Sequence, residues 1–448
     1  KNKENKNMSM ITTKLDYNQV LANQENEVHL VTRIDAPELV AKNRKPVAFA
    51  ICLDRSGSMN AERKFDFALK ACEGVVQNLR PDDLFSLVTF DSEIEVIIPM
   101  GRVEDKDGMC DIISGLYTRG MTNLSGGWGQ AKNQLLKAEP GMLRRMLLLT
   151  DGMANEGITD HRELITLVGD GLRDHGVRTS CLGFGDHYAE DLLSDLATHS
   201  TGNFYDVDSK EKLPTVFAAE LEGALRISVE NLRVRVGPEE LCSSWTDFGG
   251  MRVTEKEDGM KELLIGDLVS EEVRSFALEV KVKPRDALVS GNLISLEFIY
   301  DLVLEEGVEA KSERRIIPLS FVDHPDEVVM NESVLSTVTT QRTARIIREA
   351  IEKIDQGYEV EAIEFLNAEL RKLESMERPE LTADSSMLIN ATVEKINRGW
   401  RRSRGRKFSH YSSRSCAKMS SFEHWSAEEE FTPMFKDSGG SITGDDEL

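Results

Sequence analysis

Nowhere in the 448 residues is there an apolar stretch near the about 20 residues that a membrane helix needs, so a helical membrane span is excluded. Nor does an apolar segment follow the polar start, Lys1 to Asn7, so no secretory signal is legible there. The six cysteines, Cys52, Cys72, Cys110, Cys181, Cys242 and Cys416, are scattered singly, without a CxxC or a Cys/His pair at zinc spacing. That scatter argues against a disulfide framework and for a reducing compartment, with the cytoplasm as the expected location. Positive charge is also in deficit. The formal net charge is −23, which gives the chain no general reason to approach nucleic acid or anionic lipid. Cations, basic surfaces, or a protein met through a metal are the expected partners.

With 40% hydrophobic and 30% charged residues, the chain has the composition of a globular protein too long for one core. VAFAICLD (47–54) is a continuous apolar run, as expected for a strand buried on both faces. Further strands are expected at LFSLVTF (84–90), EVIIP (95–99), MLLLTD (146–151), VRTSCLGFG (177–185) and NFYDV (203–207). Helical periodicity lies between them: from Ser58, and over 125–138, 161–175, 189–198 and 210–225. The alternation predicts a doubly wound, mostly parallel α/β sheet over 45–226.

The flanks read differently. EVHLVTRI (27–34), ISVENLRVRV (227–236), FALEVKVK (276–283) and LEFIYDLV (296–303) alternate as antiparallel strands do. They predict a β-sandwich built from 11–44 and 227–322 around the α/β insertion. Residues 323–398 return to helical spacing, with Gly357 placed to end the first helix, and predict a small bundle. YEVEAIEFLNAEL (358–370) resembles one tetratricopeptide-type helix, but a single unit is better read as part of a helical hairpin. Residues 1–10 and 399–448 are expected to be disordered. A basic run at 398–407 precedes an acidic end (Glu428, Glu429, Glu430, Asp445, Asp446, Glu447), and the two could pair.

Three loops carry the candidate chemistry. Asp54-Arg-Ser56-Gly-Ser58 follows the first buried strand, Thr122 lies on a second loop, and Asp151 follows the strand ending at Thr150. Five oxygen donors at the carboxyl ends of parallel strands suit a hard divalent ion, with a sixth position open. Each part alone is weak, because Asp and Ser are ordinary turn residues and Ser58 could simply cap a helix. Enzymatic readings lack support. Ser56 has no GxSxG elbow and no neighbouring His base, and His175, His187 and His199 all fall late in the segment. No GxxxxGK[ST] phosphate loop occurs.

Asp54-x-Ser56-x-Ser58, Thr122 and Asp151, in this order, resemble the metal-ion-dependent adhesion site of von Willebrand factor A domains. TNLSGGW (122–128), LLLTDGMANEG (147–157) and LGFGDHY (182–188) are similar to bacterial calcium-activated chloride channel homologues; the flanks resemble inter-α-trypsin-inhibitor heavy-chain-like proteins more loosely. Met121 departs from the Gly that relatives often carry, and there is no RING-like Cys/His cluster, so a ubiquitin-ligase role is unsupported. The resemblance implies a bacterial, non-enzymatic binding protein that holds Mg²⁺ or Mn²⁺ (Ca²⁺ as a further possibility). In such sites the hydroxyls bind the ion directly and at least one Asp acts through water, so the ion can take a Glu or Asp from a partner protein. The expected rim is Arg55, Met59, Met121, Asn123 and Met153. Two rival readings stay open: the metal only staples the loops and the helical region binds, or the domain docks on a catalytic partner such as an ATPase.

Overall fold

The computed structural model describes residues 10–39, 45–185, 188–207, 210–248, 251–256, 259–304, 307–376 and 379–397. The N-terminal nine residues, His187, Cys416, the basic run and the acidic end lie outside these.

Three strands come first, β1 (Ile11–Leu15), β2 (Gln19–Leu21) and β3 (Asn26–Asp35). The α/β segment follows: β4 (Val47–Asp54), α1 (Lys64–Asn78), β5 (Leu84–Phe90), β6 (Ile94–Arg102), α2 (Lys106–Ser114), α3 (Leu124–Leu135), β7 (Leu143–Thr150), α4 (His161–His175), β8 (Val177–Phe184), α5 (Glu190–His199), β9 (Phe204–Val207) and α6 (Leu213–Leu225). Its sheet has the order β6-β5-β4-β7-β8-β9, parallel except for β6. Every residue of β4 is buried because α1 and α6 cover one face while α3, α4 and α5 cover the other. Strand order reverses between β4 and β7, which opens a crevice at their carboxyl ends.

Seven further strands build the sandwich: β10 (Ile227–Pro238), β11 (Cys242–Asp247), β12 (Arg252–Glu255), β13 (Lys261–Val269), β14 (Val273–Val282), β15 (Ser290–Leu304) and β16 (Gly307–Val322). One sheet runs β1-β3-β14-β11 and the other β12-β13-β10-β15-β16-β2, so each joins strands from before and after the α/β segment. Val28, Leu30, Val234, Leu278, Leu296 and Phe298 fill the space between them. The fold class is therefore the expected one, a mostly parallel α/β sheet beside an antiparallel β-sandwich, followed by helices.

Those helices are α7 (Glu332–Asp355), α8 (Glu359–Ser375) and α9 (Pro379–Asn397), packed around Ile347, Ile351, Leu366 and Ile389. Gly357 falls between the first two, as expected. The N-terminal half of α7 lies on the outer face of the four-stranded sheet. There Val334 and Val338 meet Val31, Phe248 and Ala277, and Gln341 Oε1 accepts the Ala277 N–H at 2.8 Å.

One local expectation is refined: the stretch from Ser58 begins as a 3₁₀ helix over Gly57–Arg63, Arg63 takes a left-handed φ of 60°, and the α-helix α1 begins only at Lys64. The turn spends those residues on presenting hydroxyls at the crevice instead of continuing α1.

Candidate metal centre

Backbone hydrogen bonds stitch the three loops together at the crevice. Arg55 N–H donates to the Phe90 carbonyl (3.0 Å), Arg119 N–H to Arg55 (2.7 Å) and Gly57 N–H to Gly120 (3.2 Å). The third loop closes on the second: Thr122 N–H donates to Asn155 Oδ1 at 2.9 Å, and the Asn155 N–H returns to the Thr122 carbonyl at 3.1 Å. Buried ion pairs brace the arrangement from below. Asp91 Oδ2 accepts from Arg55 Nε at 2.9 Å and from Arg119 Nε at 2.8 Å, and both arginines also reach Glu95.

The expected ligands meet in this frame. Ser56 Oγ lies 3.0 Å from Ser58 Oγ, which donates to Asp151 Oδ1 at 2.6 Å. Thr122 Oγ1 and Ser58 Oγ both border Gly152, where an added Cβ would lie 3.2 and 3.9 Å from them. Asp54 Oδ1 accepts the Ser56 N–H at 2.7 Å, and its Oδ2 accepts from Thr150 Oγ1. All five side chains thus face one crevice, reached from β4, β7 and the loop before α3.

Both carboxylates are buried: Asp54 is 0% exposed and Asp151 2%. One expectation is corrected, because the rim contracts. Met59 is buried in the core beneath α1, Arg55 is buried in its ion pairs, and Asn123 caps α3 by accepting the Gly126 N–H at 3.0 Å. Met121 and Met153 are exposed.

The donor set fits a hard cation. Burial pushes the Asp54 carboxyl up to about 6, against hydrogen bonds from Thr150 and Ser56, and the nearby Asp151 adds to the rise. The positive charge beside the pair is Lys64, whose Nζ lies 3.0 Å from Asp151 Oδ2 and 5.3 Å from the Phe184 ring centre. Two buried carboxylates facing three neutral hydroxyls favour a divalent ion with oxygen ligands. Sequence reasoning missed Lys64, which sits six residues beyond Ser58 and reads there as an ordinary helical lysine.

Gly120 holds the Thr122 loop in place. Its φ is +70°, and a Cβ there would lie 3.0 Å from Asp91 Cβ. Gly120→Ala is expected to cost about 1–3 kcal/mol and, by displacing Thr122, to weaken any divalent-ion binding at the crevice. Paired melting and calorimetry test this; unchanged values in both would show that the loop does not depend on that backbone conformation.

A model of the von Willebrand factor type A domain matches residues 49–219. The chain carries a domain of this family, whose members are metal-dependent adhesion and protein-interaction modules. The uncharacterized protein sll0103 of Synechocystis is 23% identical over 245 residues, covering 53% of this chain and 57% of its own length. YfbK of Escherichia coli is 27% identical over 218 residues, 47% of this chain and 37% of its own. Inter-alpha-trypsin inhibitor heavy chain H1 of Bos taurus is 25% identical over 286 residues, 61% and 30% respectively. The chain thus covers less than two thirds of each relative. Among solved structures, a von Willebrand factor type A protein from Catenulispora acidiphila superposes with a TM-score of 0.67 at 16% identity, over 86% of this chain and 89% of that one. The ArnB paralog VWA2 from Sulfolobus acidocaldarius gives 0.59 at 16% identity, over 91% and 98%. At that identity the likeness is one of fold, and it extends beyond the α/β segment. No helix among the described residues is long and apolar enough to cross a membrane.

Proposed function

We propose that the chain is a binding protein that captures an acidic residue of a partner protein through a divalent ion, Mg²⁺ or Mn²⁺, held by Asp54, Ser56, Ser58, Thr122 and Asp151. The observation that carries this reading is the convergence of the five side chains at one crevice, with Met121 and Met153 exposed on the loops that carry Thr122 and Asp151. When bound, the ion supplies an electrophilic position for a partner carboxylate. Asp54 and Asp151 fix the charge of the site, and the three hydroxyls donate oxygen without adding negative charge. Lys64 offsets part of the Asp151 charge, which leaves more positive potential for an incoming anion. The exposed methionines offer soft apolar surface to residues flanking that anion. A reducing, cytoplasmic setting suits the thiols of Cys52, Cys72, Cys181 and Cys242, which are buried and unbridged.

Thr122→Ala separates an ion that recognises from one that only staples the loops. The backbone of Thr122 is held by Asn155 and Glu156 regardless of its hydroxyl, so the loop survives the change. In saturating Mg²⁺ the melting temperature is expected to fall only through metal linkage, about 2.7 kcal/mol at a hundredfold excess over Kd. Affinity for a protein retained in Mg²⁺ and released by chelator is expected to drop to its chelator level. Unchanged affinity would move the binding surface to α7–α9.

A further inference from the structure

A second cluster of potential ligands lies on the outer face of the four-stranded sheet, away from the crevice. Because β3 alternates, Val28 and Leu30 enter the sandwich core, while Val31 faces outward under α7 and shares its face with Glu27 and His29. His29 pairs in register with Glu279 on β14. One ligand atom from each of Glu27, His29 and Glu279 lies within 4.8 Å of the others. We propose that these three side chains hold a divalent transition-metal ion of the Zn²⁺ class, at a site independent of the crevice.

The imidazole is set up for this by Asp16, which is 4% exposed. Asp16 Oδ1 accepts the backbone N–H groups of Tyr17 (2.9 Å) and His29 (2.8 Å), and its Oδ2 lies 2.7 Å from His29 Nδ1. With Nδ1 carrying the proton towards Asp16, the lone pair of Nε2 faces the two glutamates. Nε2 is buried without a hydrogen-bond partner, and Glu27 Oε1, at 3.9 Å, is beyond hydrogen-bond range. Phe248 stacks on the ring at 5.6 Å and 18°, fixing its plane. A carboxylate on one ring nitrogen and an open lone pair on the other is the arrangement of metal-ligating histidines.

Arg345, on α7, lies 3.4 Å from Glu279 Oε2 and holds that carboxylate on the same face as His29. Zn²⁺ with nitrogen and oxygen ligands at about 2.0–2.1 Å needs ligand atoms about 3.3 Å apart. Exposed Glu27 and half-buried Glu279 have the side-chain reach to close from 4.8 Å. The imidazole selects a transition ion over Mg²⁺, so the two sites would load from different pools.

The test is a Zn²⁺ titration of the full chain carrying Asp54→Asn, in millimolar Mg²⁺, followed by calorimetry and by melting temperature. One Zn²⁺ per chain and a Zn²⁺-dependent rise in melting temperature are expected. His29→Gln should weaken binding by at least about 100-fold, and Asp16→Asn, which keeps the backbone acceptor, by roughly 10–100-fold. Glu27→Gln with Glu279→Gln alters side chains outside the sandwich core and decides the matter if His29→Gln fails to fold. No Zn²⁺ uptake, equal displacement by Mg²⁺, or wild-type affinity in the double glutamine variant would overturn the site.

Discussion

Asp54→Asn is expected to abolish Mg²⁺ binding and, in the same molecule, to make the metal-free protein more stable at neutral pH. Asp54 is fully buried beside Asp151, and burial pushes its carboxyl up to about 6. In the unfolded chain the same carboxyl titrates near its ordinary 3.8. Between those values the metal-free folded state holds a proton that the unfolded state has lost, so stability declines as pH rises through the window. Above about pH 6 the loss is complete. Each pKa unit corresponds to about 1.4 kcal/mol, so the ionised Asp54 costs roughly 3 kcal/mol at pH 7 when no cation is bound. Asparagine removes that cost and keeps the local bonds: its Oδ1 accepts the Ser56 N–H, and its amide can donate to the Thr150 hydroxyl. In saturating Mg²⁺ the wild type recovers about 2.7 kcal/mol at a hundredfold excess over Kd, so the two melting curves should nearly coincide there. Calorimetry should show Mg²⁺ affinity at least about 100-fold weaker in the variant, as expected when a buried carboxylate ligand is lost. Wild-type affinity would remove Asp54 from the ligand set. A lower melting temperature in chelator at pH 7 would show that Asp54 is not held in an unfavourable charged state.

The sequence showed which residues meet at the crevice but not how they are buried. VAFAICLD could be read because a strand covered on both faces has no polar side to confuse the pattern; Asp54 ends that strand and Asp151 directly follows β7. Burial of the two carboxylates was illegible because it comes from the loops folding back over them, through contacts such as Gly57–Gly120 and Thr122–Asn155. Arg55 and Met59 looked like rim residues by proximity to the motif, yet Arg55 pairs with Asp91 below the loop and the 3₁₀ turn carries Met59 into the core. In the sandwich, β10, β14 and β15 were visible as alternating runs, whereas β16 was not. GVEAKSERRIIPLSFV keeps its first half largely exposed and charged, and β15 supplies the pairing that makes it a strand. The short α2 was missed for a similar reason, since only Ile113 is buried along it. His29 carried no visible signal at all. Its partners Asp16 and Glu279 are 13 and 250 residues away, and only strand pairing joins them.

Asp267→Ala is expected to destabilise the whole chain by about 3–5 kcal/mol while leaving Mg²⁺ affinity of the folded protein unchanged. Asp267 lies on β13 of the sandwich and accepts from two arginines of the parallel sheet: Arg178 Nη2 at 2.6 Å, and Arg145 through a short ion pair. Its Oδ1 also takes the Asn231 N–H at 2.8 Å. Arg145 and Arg178 are each 7% exposed, and burial lowers the pKa of Arg178 while Asp267 opposes that shift. Removing Asp267 leaves two buried positive charges at one seam, where water cannot replace the lost partner without opening the contact between the two sheets. Replacing the trio together, as Arg145→Met, Arg178→Met and Asp267→Leu, should be far milder, because no charge is then stranded. The site should not sense either change. Arg145 stands near the start of β7 and Asp151 just past its end, six residues or about 20 Å along the strand. At that distance, with no shared partner, the two effects add independently. Denaturant unfolding and Mg²⁺ calorimetry on Asp267→Ala and on the triple variant check this. Equal loss in both variants would mean that the packing of Arg145 and Arg178, and not their charge, holds the sandwich to the parallel sheet. A drop in Mg²⁺ affinity would mean that the seam and the crevice are mechanically coupled through β7.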